Sequence, residues 1–455
     1  MAQRKLSSHV VLVFLFLVKL WRIQAELISF LRDSIFELIS WIFMWFKTPP
    51  PPPSASRPII YPNWLRQVLK VPVISVHEQA FDENRGFVGN IRILQVTVSD
   101  IHYDCQQKIS FVLKTSLPRK SSRLVGFGSI REALFFKSRY ARYLIENARI
   151  PRIFYSYGSF WLGEMLILME NLSPGGSESS LVSVGVNQCM GNQIWKIDPS
   201  TPQNIDKIEI VRAMFLFNAE LHARHWRDTT LLQETWMRNT DWYRGSGRVL
   251  WELSMEASLR GWKRLFSDAN GKGILFPENF VPIVELSFAT STWKDLQEHL
   301  RRSPFTLTHG DFHAANMILN LPRKTNYQTH DILQGMKLLD WSEVGPWEPT
   351  TDLAQTIISD LPTKLLSQVE GCLRDYYARL VSLGVHDYSW EECRLRFGES
   401  GMERWIWILG ILNSLFDITT SGLGQYFVDQ MNAFRLEFCP NHTHFLLKSA
   451  SSILP

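Results

Sequence analysis

The sequence predicts an α+β protein of two lobes, a small antiparallel-sheet lobe followed by a larger helical one. Three observations predict it. Between residues 71 and 117 the runs VPVISV, NIRILQVTV and KISFVLKTSL are separated by glycine or polar turn residues, the pattern of a small antiparallel sheet. Beyond residue 205 helical spacing dominates. That helical region is interrupted by LTHGDFHAANMIL at 307–319 and MKLLDW at 336–341, two short strand-like stretches that carry histidines, aspartates and an asparagine.

Composition bounds the reading. A chain of 455 residues that is 45% hydrophobic can bury real cores. Its 48 basic and 44 acidic side chains are interspersed and leave a net charge of +4, so no basic stripe points to nucleic acid. Cys105, Cys189, Cys372, Cys393 and Cys439 form no CxxC pair, which fits a reducing compartment without structural zinc. The sequons at Asn171 and Asn441 occur no more often than chance allows in a chain this long.

Residues 1–48 stand apart as a hydrophobic and amphipathic extension expected to be helical. HVVLVFLFLV at 9–18 follows Arg4 and Lys5 as a signal core would, but Lys19 and Arg22 interrupt it and no small-residue cleavage site follows. In AELISFLRDSIFELISWIFMWF, Glu26, Ser29, Asp33, Glu37 and Ser40 fall at helical steps and form one narrow polar stripe on an otherwise apolar helix. Such a helix either packs on its own protein or lies on a membrane surface, alone or as a hairpin. PPPPPSASRP at 49–58 reads as an extended linker. The sheet lobe is expected over 59–170 and the helical lobe over 171–455.

Within the sheet lobe, GFGSIREALFFKSRYARYLIENARIP has helical spacing and stops at Pro151. IFYSYG and EMLILMEN then supply two more strands. In the helical lobe, AELHARHW places His222 in a helix, where a packed histidine is the expectation. The connection LPRKTNYQTHDILQG between the strands NMILN and MKLLDW is polar and expected to be an exposed loop.

An aspartate with an asparagine five residues on suits phosphoryl transfer, which needs positioning and cation binding more than covalent help. Asp311 would orient or deprotonate a hydroxyl, Asn316 would offer an amide oxygen to Mg²⁺, and Asp340 at the end of an apolar strand would supply the carboxylate. The competing readings are a turn with satisfied side chains and a zinc site at His309 and His313. Gly310 between the histidines opposes a helix, and no third ligand stands at metal spacing. Lys114 shares a strand face with Val112; it is either a cleft lysine or an edge-strand one. Glu132 is either its partner or the end of a capping box begun at Ser129. Asp352 caps the helix it begins or braces the backbone of the 307–319 loop.

HGDFHAAN, LLDW and Asp352-Leu-Ala resemble the aminoglycoside phosphotransferase and choline kinase group, and the chain looks most similar to its ecdysteroid-kinase-like branch over residues 70–435. FVLK with Lys114, REALFF with Glu132, and ILMENLSP fall in the same order. The resemblance implies a bilobal protein-kinase-like fold and transfer of the ATP γ-phosphoryl group to the hydroxyl of a small-molecule alcohol. It implies that Lys114 contacts the α- and β-phosphates, Glu132 holds Lys114, and Asp311 is the catalytic base. Asn316 and Asp340 would bind Mg²⁺, and Met169, Glu170, Asn171 and Leu172 would hold the adenine. FDENRGFVGNIRI has only Gly86 and Gly89 in place of a full GxGxxG, so its backbone cradle is incomplete. Trp341 stands where protein kinases commonly have Phe-Gly, and no Ala-Pro-Glu follows, which disfavours protein substrates. The alternatives are a catalytically silent nucleotide-binding scaffold and a protein serine/threonine kinase. ATP use would place the domain on the cytosolic side, tethered to a membrane if the extension binds one.

Overall fold

Five antiparallel strands, β1 (Val73–Ala80), β2 (Gly89–Asp100), β3 (Cys105–Ser116), β4 (Ile153–Ser159) and β5 (Glu164–Glu170), form a sheet in the order β1-β2-β3-β5-β4. The computed structural model describes residues 62–80, 89–100, 105–116, 130–159, 164–172, 181–190, 205–272, 274–323, 326–415 and 422–447, with residues 24, 128 and 418 besides. Apart from residue 24, the extension 1–48, the linker 49–58 and most of the glycine-containing stretch 81–93 lie outside them. Among the described residues no helix is long and apolar enough to cross a membrane.

Alternation along the strands makes the sheet two-faced. Leu94, Val96, Phe111, Leu113, Leu166 and Leu168 are buried on one face, and the helix Pro62–Leu69 covers them with Trp64 and Leu65. Trp64 meets Tyr155 edge to face at 5.1 Å. The other face, with Met165, Ile167 and Met169, belongs to a second and larger core shared with the helical part of the chain. The helical stretch between β3 and β4 is interrupted. Arg131–Lys137 ends at Ser138, whose ψ of 161° is extended, and a short 3-10 turn leads to Arg142–Glu146.

The larger core is built on Lys207–Arg224, Arg248–Lys272, Thr350–Asp360, Val369–Ser382, Trp390–Leu415 and Leu423–Phe438. Arg248–Lys272 and Trp390–Leu415 cross closely because glycine stands on both sides. A Cβ on Gly261 would lie 1.8 Å from the carbonyl oxygen of Gly410. Polar groups freed at this crossing are satisfied across it: Ser258 Oγ donates to Trp407 O over 2.8 Å, and Asn413 Nδ2 donates to Gly261 O over 2.9 Å. Trp262 and Trp407 are fully buried beside it, each contributing roughly 2–3 kcal/mol by area.

Small sheets embedded in this lobe set the 307–341 region. β7 (Thr306–Thr308) pairs with β10 (Gly345–Trp347), and β8 (Met317–Pro322) lies between β6 (Leu181–Gly185) and β9 (Met336–Leu338). The connection from β8 to β9 is not the exposed loop its polarity suggests. Thr329–Gly335 is a helix with a capping box between Gln328 and Asp331, and it buries Ile332 and Leu333. Two apolar residues among polar ones carried too little periodicity to announce it.

Candidate active site

Lys114 stands in the central strand β3, in register with Ile91 of β2 and Ile167 of β5, so it is no edge residue. Strand alternation turns its side chain to the face of Val112, and only 7% of the residue is exposed. Its Nζ lies 2.6 Å from Glu132 Oε2 and 3.0 Å from Asp340 Oδ1. Burial opposes the ammonium, but Asp340 and Glu132 outweigh it and hold Lys114 protonated, above the usual lysine range. Burial pushes the Glu132 carboxyl up, and Lys114 pulls it back. The helix Arg131–Lys137 has Ile130 at its cap position with no side-chain cap, and Ser129, where the alternative capping box would begin, lies outside the described residues.

Asp340 follows β9 in a left-handed conformation, φ 56° and ψ 69°, which a short acidic side chain tolerates better than a branched one. Burial would raise its carboxyl, yet Lys114 holds it below the usual range. The next residue, Trp341, is fully buried. It stacks on Phe135 of the Glu132 helix at 4.4 Å and meets His309 at 4.6 Å. A larger ring thus fills the place after the aspartate and ties that helix to the 309 loop. Arg131 adds a polar tie, donating to Trp236 O over 3.0 Å and to Ser342 O over 2.5 Å.

Residues 309–316 have little regular backbone hydrogen bonding of their own, and one helix supplies the deficit. Along Thr350–Asp360, side chains about a turn apart meet the loop in sequence. Asp352 accepts the backbone N–H of His309 over 2.7 Å and of Gly310 over 3.1 Å. Gln355 Nε2 donates to Asp311 Oδ1 over 2.9 Å, Thr356 Oγ1 donates to Phe312 O over 2.6 Å, and Asp360 accepts Ala314 N–H over 2.9 Å. Asp352 therefore braces the loop; the cap position of its helix belongs to Pro349. Every residue of that helix is buried. Gly310 has φ +80°, and a Cβ there would lie 2.1 Å from Glu343 O.

The histidines of the loop do different work. His309 Nδ1 accepts the N–H of Asp311 at 3.3 Å, so the proton sits on Nε2, which donates to Leu339 O over 2.8 Å. With both nitrogens engaged and burial lowering its pKa, His309 is a neutral strut. His313 Nε2 lies 3.3 Å from Asp311 Oδ2. Burial lowers the basicity of His313, but the Asp311 carboxylate overrides it and raises the pKa to about 9. Burial likewise pushes Asp311 up, and His313, Arg404 and His309 hold it well below the usual carboxylate range. Asn316 Nδ2 donates to Asp311 O over 2.9 Å and to Asp311 Oδ2 at 3.2 Å, so its hydrogen bonds run from the amide nitrogen.

Lys114, Glu132, Asp340, Asp311 and Asn316 thus come together. The four residues 169–172 lie at the end of β5. Met169 and Leu172 are buried, Glu170 pairs with Lys337 at 3.2 Å, and Asn171 Nδ2 donates to Ser110 Oγ over 2.8 Å. His222 packs at a distance, its Nδ1 2.9 Å from Tyr376 Oη. Tyr376, Trp405 and Trp407 are buried in the core of the helical lobe. Gln355 and Arg404 escape a sequence reading, because each is a lone polar residue in a helix with no motif around it.

No family model matches the sequence, and no curated protein sequence matches it. Solved structures match over most of the chain. An ethanolamine kinase of Plasmodium vivax aligns with 79% of this chain and 81% of its own at 9% identity and a TM-score of 0.38. Wild-type aminoglycoside 2'-phosphotransferase-IIIa in its GDP complex covers 83% and 97% at 12% identity, TM-score 0.38. A microcompartment-associated aminopropanol kinase covers 82% and 97% at 11% identity, TM-score 0.36. Superpositions this loose carry no argument; the architecture and the site rest on this chain's own topology and side chains.

Proposed function

We propose that this chain is a phosphotransferase of the aminoglycoside phosphotransferase and choline kinase group, of the ecdysteroid-kinase-like branch, with lobes at 59–170 and 171–455. It would transfer the γ-phosphoryl group of ATP to the hydroxyl of a small molecule with Mg²⁺. The observation that carries this reading is the position of the Lys114 ammonium between Glu132 and Asp340, with Asp311 close enough to act on the charge of Asp340. A buried lysine shared by two carboxylates beside a third is an arrangement for phosphate oxygens and a hard cation.

The donor set fits Mg²⁺. Asp340 offers a carboxylate, and Asn316 has an amide oxygen that its nitrogen-borne hydrogen bonds leave to other partners. Two protein oxygens suit an ion that takes its remaining ligands from water and phosphate. When bound, the ion would neutralise charge on the phosphates during transfer. Lys114 would contact the α- and β-phosphates while Glu132 holds its position. The segment Met169, Glu170, Asn171 and Leu172 would hold the adenine. Asp311 would orient the acceptor hydroxyl and take its proton as the oxygen–phosphorus bond forms and the bond to ADP breaks. A carboxylate held below its usual range is a weak base, so it serves by orientation first and receives the proton late.

An untargeted screen of small alcohols with labelled ATP and Mg²⁺ tests this reading: one acceptor gaining a phosphoryl group is expected, and label that never leaves ATP across the screen would contradict it. Residues 1–48 would tether the domain to a membrane surface from the cytosolic side. Deleting them should release an active protein into the soluble fraction. Aggregation of the truncated protein, with the full chain soluble without detergent, would assign them to the folded core instead.

A further inference from the structure

Three side chains converge on the Asp311 carboxylate, two as hydrogen-bond donors and one as an ion pair. Gln355 Nε2 lies 2.9 Å from Oδ1, while Asn316 Nδ2 at 3.2 Å and His313 Nε2 at 3.3 Å both lie on Oδ2. A carboxylate offers about four lone-pair directions, two on each oxygen. Oδ2 is faced by the Asn316 amide and the His313 ring, and Oδ1, bonded to Gln355, has a direction left over. The Gln355 amide cannot be turned round. Its Oε1 accepts from Arg404 Nε over 3.1 Å, and a guanidinium has nothing to accept with, so the amide nitrogen must face Asp311. Arg404 also donates to Gly310 O over 2.5 Å, so one guanidinium holds both the backbone before Asp311 and, through Gln355, its side chain. Both residues are buried, at 3% and 6% exposure, on two different helices.

We propose that Gln355, oriented by Arg404, is a positioning residue that turns the remaining lone pair of Asp311 Oδ1 toward the acceptor hydroxyl. This rests on the phosphotransferase reading. In the step, the acceptor O–H bond breaks and its proton goes to Oδ1, the acceptor oxygen bonds to the γ-phosphorus, and the electron pair of the broken phosphorus–oxygen bond leaves with ADP. Without Gln355 the carboxylate is held at Oδ2 alone and can swing about that anchor. Positioning of this kind is felt in turnover more than in nucleotide affinity.

The test uses the full chain with Gln355→Leu, Arg404→Lys and the two combined. Gln355→Leu should lower kcat about 10- to 100-fold with the KM for ATP within about twofold, and Arg404→Lys should lower kcat about 10-fold. The double variant should lose less than the product of the two single losses, because the Arg404–Gln355 contact is common to both while the Arg404 contact with Gly310 O is not. Additive losses, or a raised KM for ATP with kcat unchanged, would overturn the proposal, since they describe two independent structural roles. A readout that needs no turnover is the side-chain amide resonance of Gln355 in protein labelled at glutamine. It should move in Asp311→Ala and in Arg404→Lys, and a resonance indifferent to both would also overturn the proposal. If the resonance responds and no acceptor is phosphorylated, the phosphotransferase reading itself fails and the proton role falls with it. An active enzyme whose resonance is indifferent sinks the positioning role alone.

Discussion

Lys114 and Asp311 sit in the same site and are held by opposite means. Lys114 rides in the middle strand of a five-stranded sheet, and its placement follows from register with β2 and β5 and from strand alternation. Asp311 stands on irregular backbone, and four side chains of Thr350–Asp360 satisfy that backbone or orient the carboxylate itself. A sheet position shares its support among many repeated hydrogen bonds. The loop concentrates its support in a few buried polar groups, each costly to remove. The lysine corner should therefore keep its stability when its neighbours change, and the aspartate corner should be broken from positions some 40 residues away.

The largest effect is expected at Asp352, where alanine would strand one buried and one half-buried N–H group. The loss should be roughly 3–5 kcal/mol, read as a lowered urea midpoint together with lost turnover. Gly310→Ala should follow at about 3 kcal/mol, from the left-handed backbone and the contact with the Glu343 carbonyl, and the same unfolding experiment measures it. An unchanged midpoint in either variant would mean that the loop does not depend on this bracing. At the lysine corner, Glu132→Gln should leave stability within about 1 kcal/mol, because Asp340 stays 3.0 Å from the ammonium. Turnover should still fall about 10- to 100-fold in steady-state kinetics.

The effect that is smallest at neutral pH lies away from the site and depends on pH. Burial, then the nearby His225, lowers His222 to about 3. Its folded value lies below the unfolded one of about 6.5, so the neutral form stabilises the fold fully above that pH. That contribution is lost as pH falls from 6.5 toward 3, by at most about 1.4 kcal/mol per pH unit. His222→Gln should flatten this part of the stability-against-pH curve, and an identical curve would show that the imidazole titrates freely in the folded protein.

The same contrast governs what was legible in the sequence. The strands of Lys114 and Met169 announce themselves, because alternation and turn residues are local signals. The polar residues from His309 to Asn316 are legible as a cluster because they are contiguous. Their support is not. Gln355 comes from one helix and Arg404 from another, joined to the loop only by tertiary packing. Local pattern also left three readings open that long-range contacts decided: Lys114 lies in a central strand, Glu132 pairs with it, and Asp352 braces a loop. The helix Thr329–Gly335 and the break at Ser138 escaped for a different reason, since a short helix with two buried residues and a brief 3-10 interruption change periodicity too little to show.

The central claim is that Asp340 brings a hard cation to nucleotide held by Lys114. Calorimetric titration of ATP into the wild type and Asp340→Asn, each with Mg²⁺ and with a chelator, tests it most directly. The account predicts that Mg²⁺ tightens ATP binding to the wild type by about 10-fold or more and that Asp340→Asn, still folded, loses this enhancement while keeping the weaker metal-free binding. Equal enhancement by Mg²⁺ in both proteins would contradict it.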